Sequence, residues 1–89
     1  MDISENREQI ELYDPELLVL PEEYDDCIVG IVEGFNIPST VAYDLTMIID
    51  KLMQDDMSYE DAWEHYSYNI RGTYMGMTTP VFITRSENL

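Results

Sequence analysis

His65 and Cys27 are the only histidine and the only cysteine among 89 residues, so most covalent or metal chemistry would have to pass through one of them. Nucleophilic catalysis needs a Ser, Thr or Cys held against a base. His65 is the base on offer, and its neighbours fall on a helix surface. With Asp61 at i and i+4 it supplies two ligands for a divalent metal, but no residue is marked as a third or fourth. The expectation is a surface histidine beside a carboxylate, with no metal and no cofactor. Cys27 alone forms neither an intrachain disulfide nor a cysteine-based zinc site, which points to a reducing compartment. Carboxylates are so abundant that a pair at glycosidase-like separation would arise by chance. Glycines 30, 34, 72 and 76 match neither G-x-G-x-x-G nor a P-loop. The chain reads as a binding protein, not an enzyme.

Binding chemistry is better marked. Tyr59, Trp63, Tyr66, Tyr68 and Tyr74 crowd one stretch, interleaved with Glu60, Asp61 and Glu64. Tyrosine and tryptophan anchor protein interfaces, and a helix of about 12 residues cannot bury all of them in so small a core. Asp55, Asp56, Glu60, Asp61 and Glu64 would place carboxylates about 5–7 Å apart along a helix, which imitates the phosphates of a nucleic-acid strand. The expected partner-binding surface is therefore Asp55, Asp56, Tyr59, Glu60, Trp63, Glu64 and Tyr68. The competing reading is a solvated helix face over a core that takes most of the rings. A different arrangement is a pocket of Tyr66, Asn69, Arg71 and Thr79, in which Arg71 holds one anionic group.

Nineteen acidic residues against four basic ones give a formal charge of -15. Arg7, Lys51, Arg71 and Arg85 cannot form the cationic clusters that phosphate recognition uses, which excludes direct binding to DNA or RNA. Such a charge also repels itself in the compact state. A hydrophobic content of 45% nevertheless places the chain among folded proteins, and its length suits one domain. No apolar run approaches the ~20 residues of a membrane span, and the first residues lack the pattern of a secretory signal. A cytosolic location is expected.

The elements that must position these residues can be read in turn. Residues 1–26 hold ten acids and one base, net -9 of the total, with Pro15 and Pro21 breaking any long helix. They read as an acidic arm, loose over its first ~10 residues and docked through Leu17 to Leu20. A single α+β domain is expected over 27–84, with a frayed tail at 85–89. Cys27 to Val32 is rich in β-branched residues and predicts a strand; Gly34 to Pro38 supplies a turn; Thr40 to Tyr43 predicts a second strand. Asp44 is placed to cap a helix whose apolar stripe is Leu45, Ile48, Ile49, Leu52 and Met53. Ser58 opens a second helix running to about Ile70, with Ala62, Tyr66 and Ile70 inward, Trp63 on the edge and a stop near Gly72. Beyond Gly76, Thr79 to Thr84 predicts a last strand with Pro80 at its start. The order β-β-α-α-β predicts a small antiparallel sheet with two helices on one face. Exposed aromatics and a short edge strand make a homodimer conceivable without deciding for it.

The stretch from Tyr24 to Phe82 resembles a group of short acidic proteins of tailed phages and bacteria. The residues that carry the likeness are YDDCIVGI, VAYD, MSYEDAWEHYSYNIRGTYMG and TPVF, about two thirds of the chain. That group brings no activity, so no site residue is carried over from it. The resemblance implies the cytoplasm of a bacterial host as the setting. By that context the expected function is a phage-type accessory protein that inhibits a nucleic-acid-handling host protein with a basic surface, as a DNA mimic of anti-restriction or anti-CRISPR type. The alternative is a homo-oligomeric module that sequesters a small anionic ligand such as a nucleotide.

Overall fold

The computed structural model describes residues 3–72 and 79–89. The protein is a small α+β fold with a three-stranded mixed sheet. Helix α1 (Ile3–Tyr13) leads through a 3-10 helical turn (Glu22–Cys27) into strands β1 (Ile28–Gly34) and β2 (Ile37–Asp44). Helices α2 (Leu45–Gln54) and α3 (Tyr59–His65) follow, α3 running on into a π-helical turn (Tyr66–Arg71). Strand β3 (Val81–Ile83) and a 3-10 turn (Ser86–Asn88) end the chain. Asp2, Tyr74 and Gly76 lie outside the described residues.

β1 and β2 form an antiparallel hairpin closed by Phe35 and Asn36, with Gly34 opposite Ile37. Asn36 has a φ of 61°, a left-handed conformation that asparagine tolerates better than most residues. A Cβ on Gly34 would meet Ile37 Cδ1 at 2.6 Å, so a side chain there would have to displace the exposed end of Ile37. Pro38 lies within β2, where it removes a donor from the ladder. It is accommodated because β3 pairs only with Ala42, Tyr43 and Asp44, leaving β2 one neighbour at Pro38.

β3 runs parallel to β2, which corrects the antiparallel sheet expected from sequence. The reason is the connection: α2 and α3 form a helical crossover, and a crossover returns the chain so that the next strand runs the same way. β3 is also shorter than the expected span of residues 79–84.

Both helix starts are capped as their sequences predict. The Asp44 carboxylate accepts from Met47 N–H at 3.1 Å, and the Ser58 hydroxyl accepts from Asp61 N–H at 3.1 Å. On α2 the stripe buries Ile48, Ile49 and Leu52, while Met53 at its margin is exposed. Ala62, Tyr66 and Ile70 are buried, and Trp63 is partly buried against them.

The N-terminal segment differs most from expectation. It is helical from Ile3, and its side chains help build the core: Ile10, Leu17, Leu20 and Tyr24 cluster with Val41, Tyr43 and Ile48. The fixing contact is electrostatic. Arg7 donates from Nε to Asp25 Oδ2 at 2.9 Å and from Nη2 to Asp25 Oδ1 at 2.8 Å and to the Leu20 carbonyl at 2.7 Å. Leu20 N–H in turn donates to the hydroxyl of Tyr43 at 2.8 Å. Docking through Leu17 to Leu20 was expected, and Leu17 and Leu20 are buried; the first ten residues, expected to be loose, are instead tied in by a base placed a helical turn from Ile10. The tail is likewise held: Arg85 Nε lies 2.9 Å from Asp44 Oδ2, on the carboxylate that caps α2.

Candidate functional site

The acidic, aromatic surface is built where α2 gives way to α3. α2 ends at Gln54, and Asp56 adopts a φ of 66°, the left-handed turn that lets the chain reverse within a few residues. Asp55 and Asp56 are thereby thrown into solvent, both exposed. Ser58 then starts α3, whose first turn carries Glu60 and Asp61, where negative charge complements the helix dipole. Glu60 and Glu64 are exposed one turn apart.

Ring contacts run inward from this surface. Tyr59, 59% exposed, meets Trp63 edge-on with centroids 6.2 Å apart. Trp63 meets Tyr66 at 5.7 Å, Tyr66 meets Phe82 at 5.1 Å, and Phe82 meets the fully buried Tyr43 at 6.2 Å. Edge-to-face packing of this kind is worth about 0.5–1.5 kcal/mol per pair beyond the buried area. Tyr59 is therefore a surface ring held by a chain of contacts that ends in the sheet. Tyr68, on the π turn, is 77% exposed.

The seven residues expected to bind a partner are thus divided. Asp55, Asp56, Tyr59, Glu60, Glu64 and Tyr68 are exposed between the α2–α3 turn and the π turn, whereas Trp63 is a buttress, half-buried beneath Tyr59. Among the described residues, ion pairs join Arg7 to Asp25, Lys51 to Asp26 and Arg85 to Asp44. No carboxylate of the 55–64 stretch takes part in them.

Two contacts are described for the four residues expected to line a small-ligand pocket. Tyr66 is buried in the core, with the Arg71 guanidinium 5.7 Å from its ring centroid. Burial raises the Tyr66 phenol above its ordinary range, and Arg71 partly offsets the rise. Asn69 is hydrogen-bonded to His65 Nδ1 at 3.3 Å. These two residues line a cavity of about 250 Å³ with Glu23, Tyr24 and Ile70. Thr79 is half-buried before β3. Tyr66 and Arg71 thus form one pair, and Asn69 and His65 another.

Cys27 is buried, its thiol donating to Asp26 Oδ1 at 3.6 Å. Burial first, and then the neighbouring Asp26 carboxylate, push the thiol up to about 12. At that value it stays protonated at neutral pH, short of the thiolate that nucleophilic attack uses. Among the described residues, no group of three or more His, Cys, Asp or Glu side chains is gathered as a metal site, and no helix is long and apolar enough to cross a membrane.

Sequence reasoning missed a second kind of exposed surface. Leu12, Tyr13, Val29, Phe35 and Ile37 are exposed around the C-terminal end of α1 and the β1–β2 hairpin. Phe35 had a legible signal, since the first residue of a two-residue hairpin turn points away from the sheet. Leu12 and Tyr13 had none once their segment was taken as an arm. Comparison of the chain with protein-family models, curated proteins and solved structures gives no match.

Proposed function

We propose that this chain is a non-catalytic binding protein that presents the acidic, tyrosine-bearing surface from Asp55 to Tyr68 to a basic groove on a nucleic-acid-handling protein. Its setting would be the cytoplasm of a bacterial host, where it acts as an accessory inhibitor of phage type. The observation that carries this reading is the combination on one stretch of unpaired carboxylates and exposed rings. Asp55, Asp56, Glu60 and Glu64 are exposed and outside the three ion pairs, and Tyr59 and Tyr68 stand among them. A run of exposed carboxylates complements a groove built for phosphates, and a ring already held in place, as Tyr59 is against Trp63, loses little freedom on binding.

The test is a capture of a purified basic-groove nuclease or repressor, washed across a salt series and repeated with competing duplex DNA. Binding that DNA and salt displace, and that Tyr59→Ala with Tyr68→Ala weakens by about tenfold or more, is the expected result. Capture unaffected by DNA, or unchanged in the double variant, would overturn the reading. The alternative, a small anionic ligand held by Tyr66, Asn69, Arg71 and Thr79, draws less support. Arg71 lies over a buried ring, and the cavity beside Asn69 carries Glu23, a carboxylate that repels an anion. A melting temperature raised by a nucleotide would favour it.

A further inference from the structure

β1 is an edge strand: the sheet order is β1-β2-β3, so one side of its backbone ladder is not taken up within the sheet. A groove of about 350 Å³ lies between this strand and α1. Its strand side is Ile28, Val29, Gly30 and Ile31, four residues in succession, and its helix side includes Ile10 and Tyr13. Side chains alternate between the faces of a strand, so a groove touching four in a row follows the edge itself rather than one face. The edge is open at Gly30, where a Cβ would meet nothing within 4 Å. The pairing with β2 shifts between Ile28 and Gly30; the bulge turns Val29 outward, 45% exposed. Apolar surface continues beyond the groove at Leu12, 86% exposed, and Phe35, 93% exposed.

Charge decides what fits. The hydroxyl of Tyr13, on the groove wall, donates to the Glu33 carboxylate. Glu8 and Glu11 line a further hollow on α1 with Leu12. The base of α1, Arg7, is turned to Asp25. A second copy would bring the same acids and another -15 to the contact, which disfavours it.

We propose that the α1–β1 groove is a docking site for an extended segment of a partner protein in which apolar residues alternate with Lys or Arg. The segment adds to β1 through backbone hydrogen bonds and places its apolar side chains against Ile10, Ile28 and Ile31. This surface shares no residue with the one between Asp55 and Tyr68, so either can fail without the other.

The probe is a synthetic peptide of about nine residues alternating Val or Ile with Lys, long enough for a strand. It is titrated into the 15N-labelled protein at about 0.3 M salt, where surface charge is largely screened. A second peptide carries the same side chains with alternate backbone nitrogens methylated, which removes donors and keeps the charge. Expected are amide shifts confined to residues 9–13 and 28–34, and binding about tenfold weaker for the methylated peptide. Val29→Lys, which sets a like charge against the peptide at an exposed position, weakens the parent peptide similarly while the far-UV spectrum and melting temperature hold. Shifts centred on residues 55–64, or equal affinity for both peptides, would overturn the proposal by showing ionic association alone. A homodimer whose interface protects the β1 amides would overturn it by assigning the edge to a second copy.

Discussion

The ionisable side chains that matter most to this protein are the few it buries. Cys27 is pushed up to about 12, from an ordinary 9.0, chiefly by burial. The Tyr24 phenol is raised by burial and then by the Glu23 and Asp55 carboxylates, and Tyr66 is raised by burial. All three hold their protons more tightly folded than unfolded. Their contribution is fully present below about pH 9 and is lost as pH climbs through the folded values, because the unfolded chain then releases protons that the fold retains. Urea melts between pH 8 and 11 should show stability falling, by about 1.4 kcal/mol per pH unit for each group inside its window. Cys27→Ala should lessen the slope from about pH 9 upward; an unchanged slope would mean the thiol is not held in this way. Arg7 offers the reverse case, a cation whose partner is buried. Asp25 is 3% exposed and accepts both forks of the guanidinium. Arg7→Ala removes both guanidinium donors from that buried carboxylate and should destabilise by about 3–5 kcal/mol. Arg7→Lys keeps the charge, loses the fork, and should recover only part of the loss in denaturant melts.

At the scale of elements, the parts legible in the sequence were those specified locally. Asp44 sits one residue before its apolar stripe and Ser58 opens the helix whose inward set begins at Ala62, and both accept the expected N–H. Ser58→Ala should cost about 1 kcal/mol. Asp44→Ala should cost clearly more in the same chemical melts, since Asp44 is buried and also holds Arg85; equal losses would mean that the tail contact contributes nothing. The parts that were not legible depend on distant partners. The sense of β3 follows from where a two-helix crossover delivers the chain, and a three-residue strand carries no mark of it. The helicity of residues 3–13 depends on Ile10 and Arg7 meeting the core and Asp25, 18 residues beyond Arg7. The span from Tyr59 to Ile70 was legible, but its change to a π turn at Tyr66 was not, because Tyr66 and Ile70 are buried and four apart in either geometry. The candidate surface followed the same division. Which acids and rings share a stretch was visible, while the demotion of Trp63 to a buttress needed Tyr66 and Phe82 in place behind it.

For the molecule as a whole, the dominant physical fact is a charge of -15 carried by so few residues. Three of the four cations join parts distant in sequence. Arg7 ties α1 to the 3-10 turn, Lys51 ties α2 to the same turn, and Arg85 ties the tail to the end of β2. Added salt acts in two directions on this arrangement. It weakens the partly exposed pair, Lys51 with Asp26, worth about 0–1 kcal/mol, and acts less on Arg7 and Arg85, whose carboxylate partners are buried. It also screens the repulsion among the remaining carboxylates, which are far more numerous, once the Debye length falls to ~10 Å at 0.1 M and below that at higher salt. Repulsion should win. The melting temperature is expected to rise by at least about 5 °C between 10 mM and 0.5 M sodium chloride, equivalent to roughly 1 kcal/mol for a domain of this size. Neutralising the candidate surface by Glu60→Gln and Glu64→Gln should raise the melting temperature at low salt and shrink its salt dependence. A melting temperature that falls with salt would mean that the three ion pairs outweigh the self-repulsion. If the expected rise is found, the acids of α3 are held against a standing cost in stability, one that a basic partner would relieve on binding.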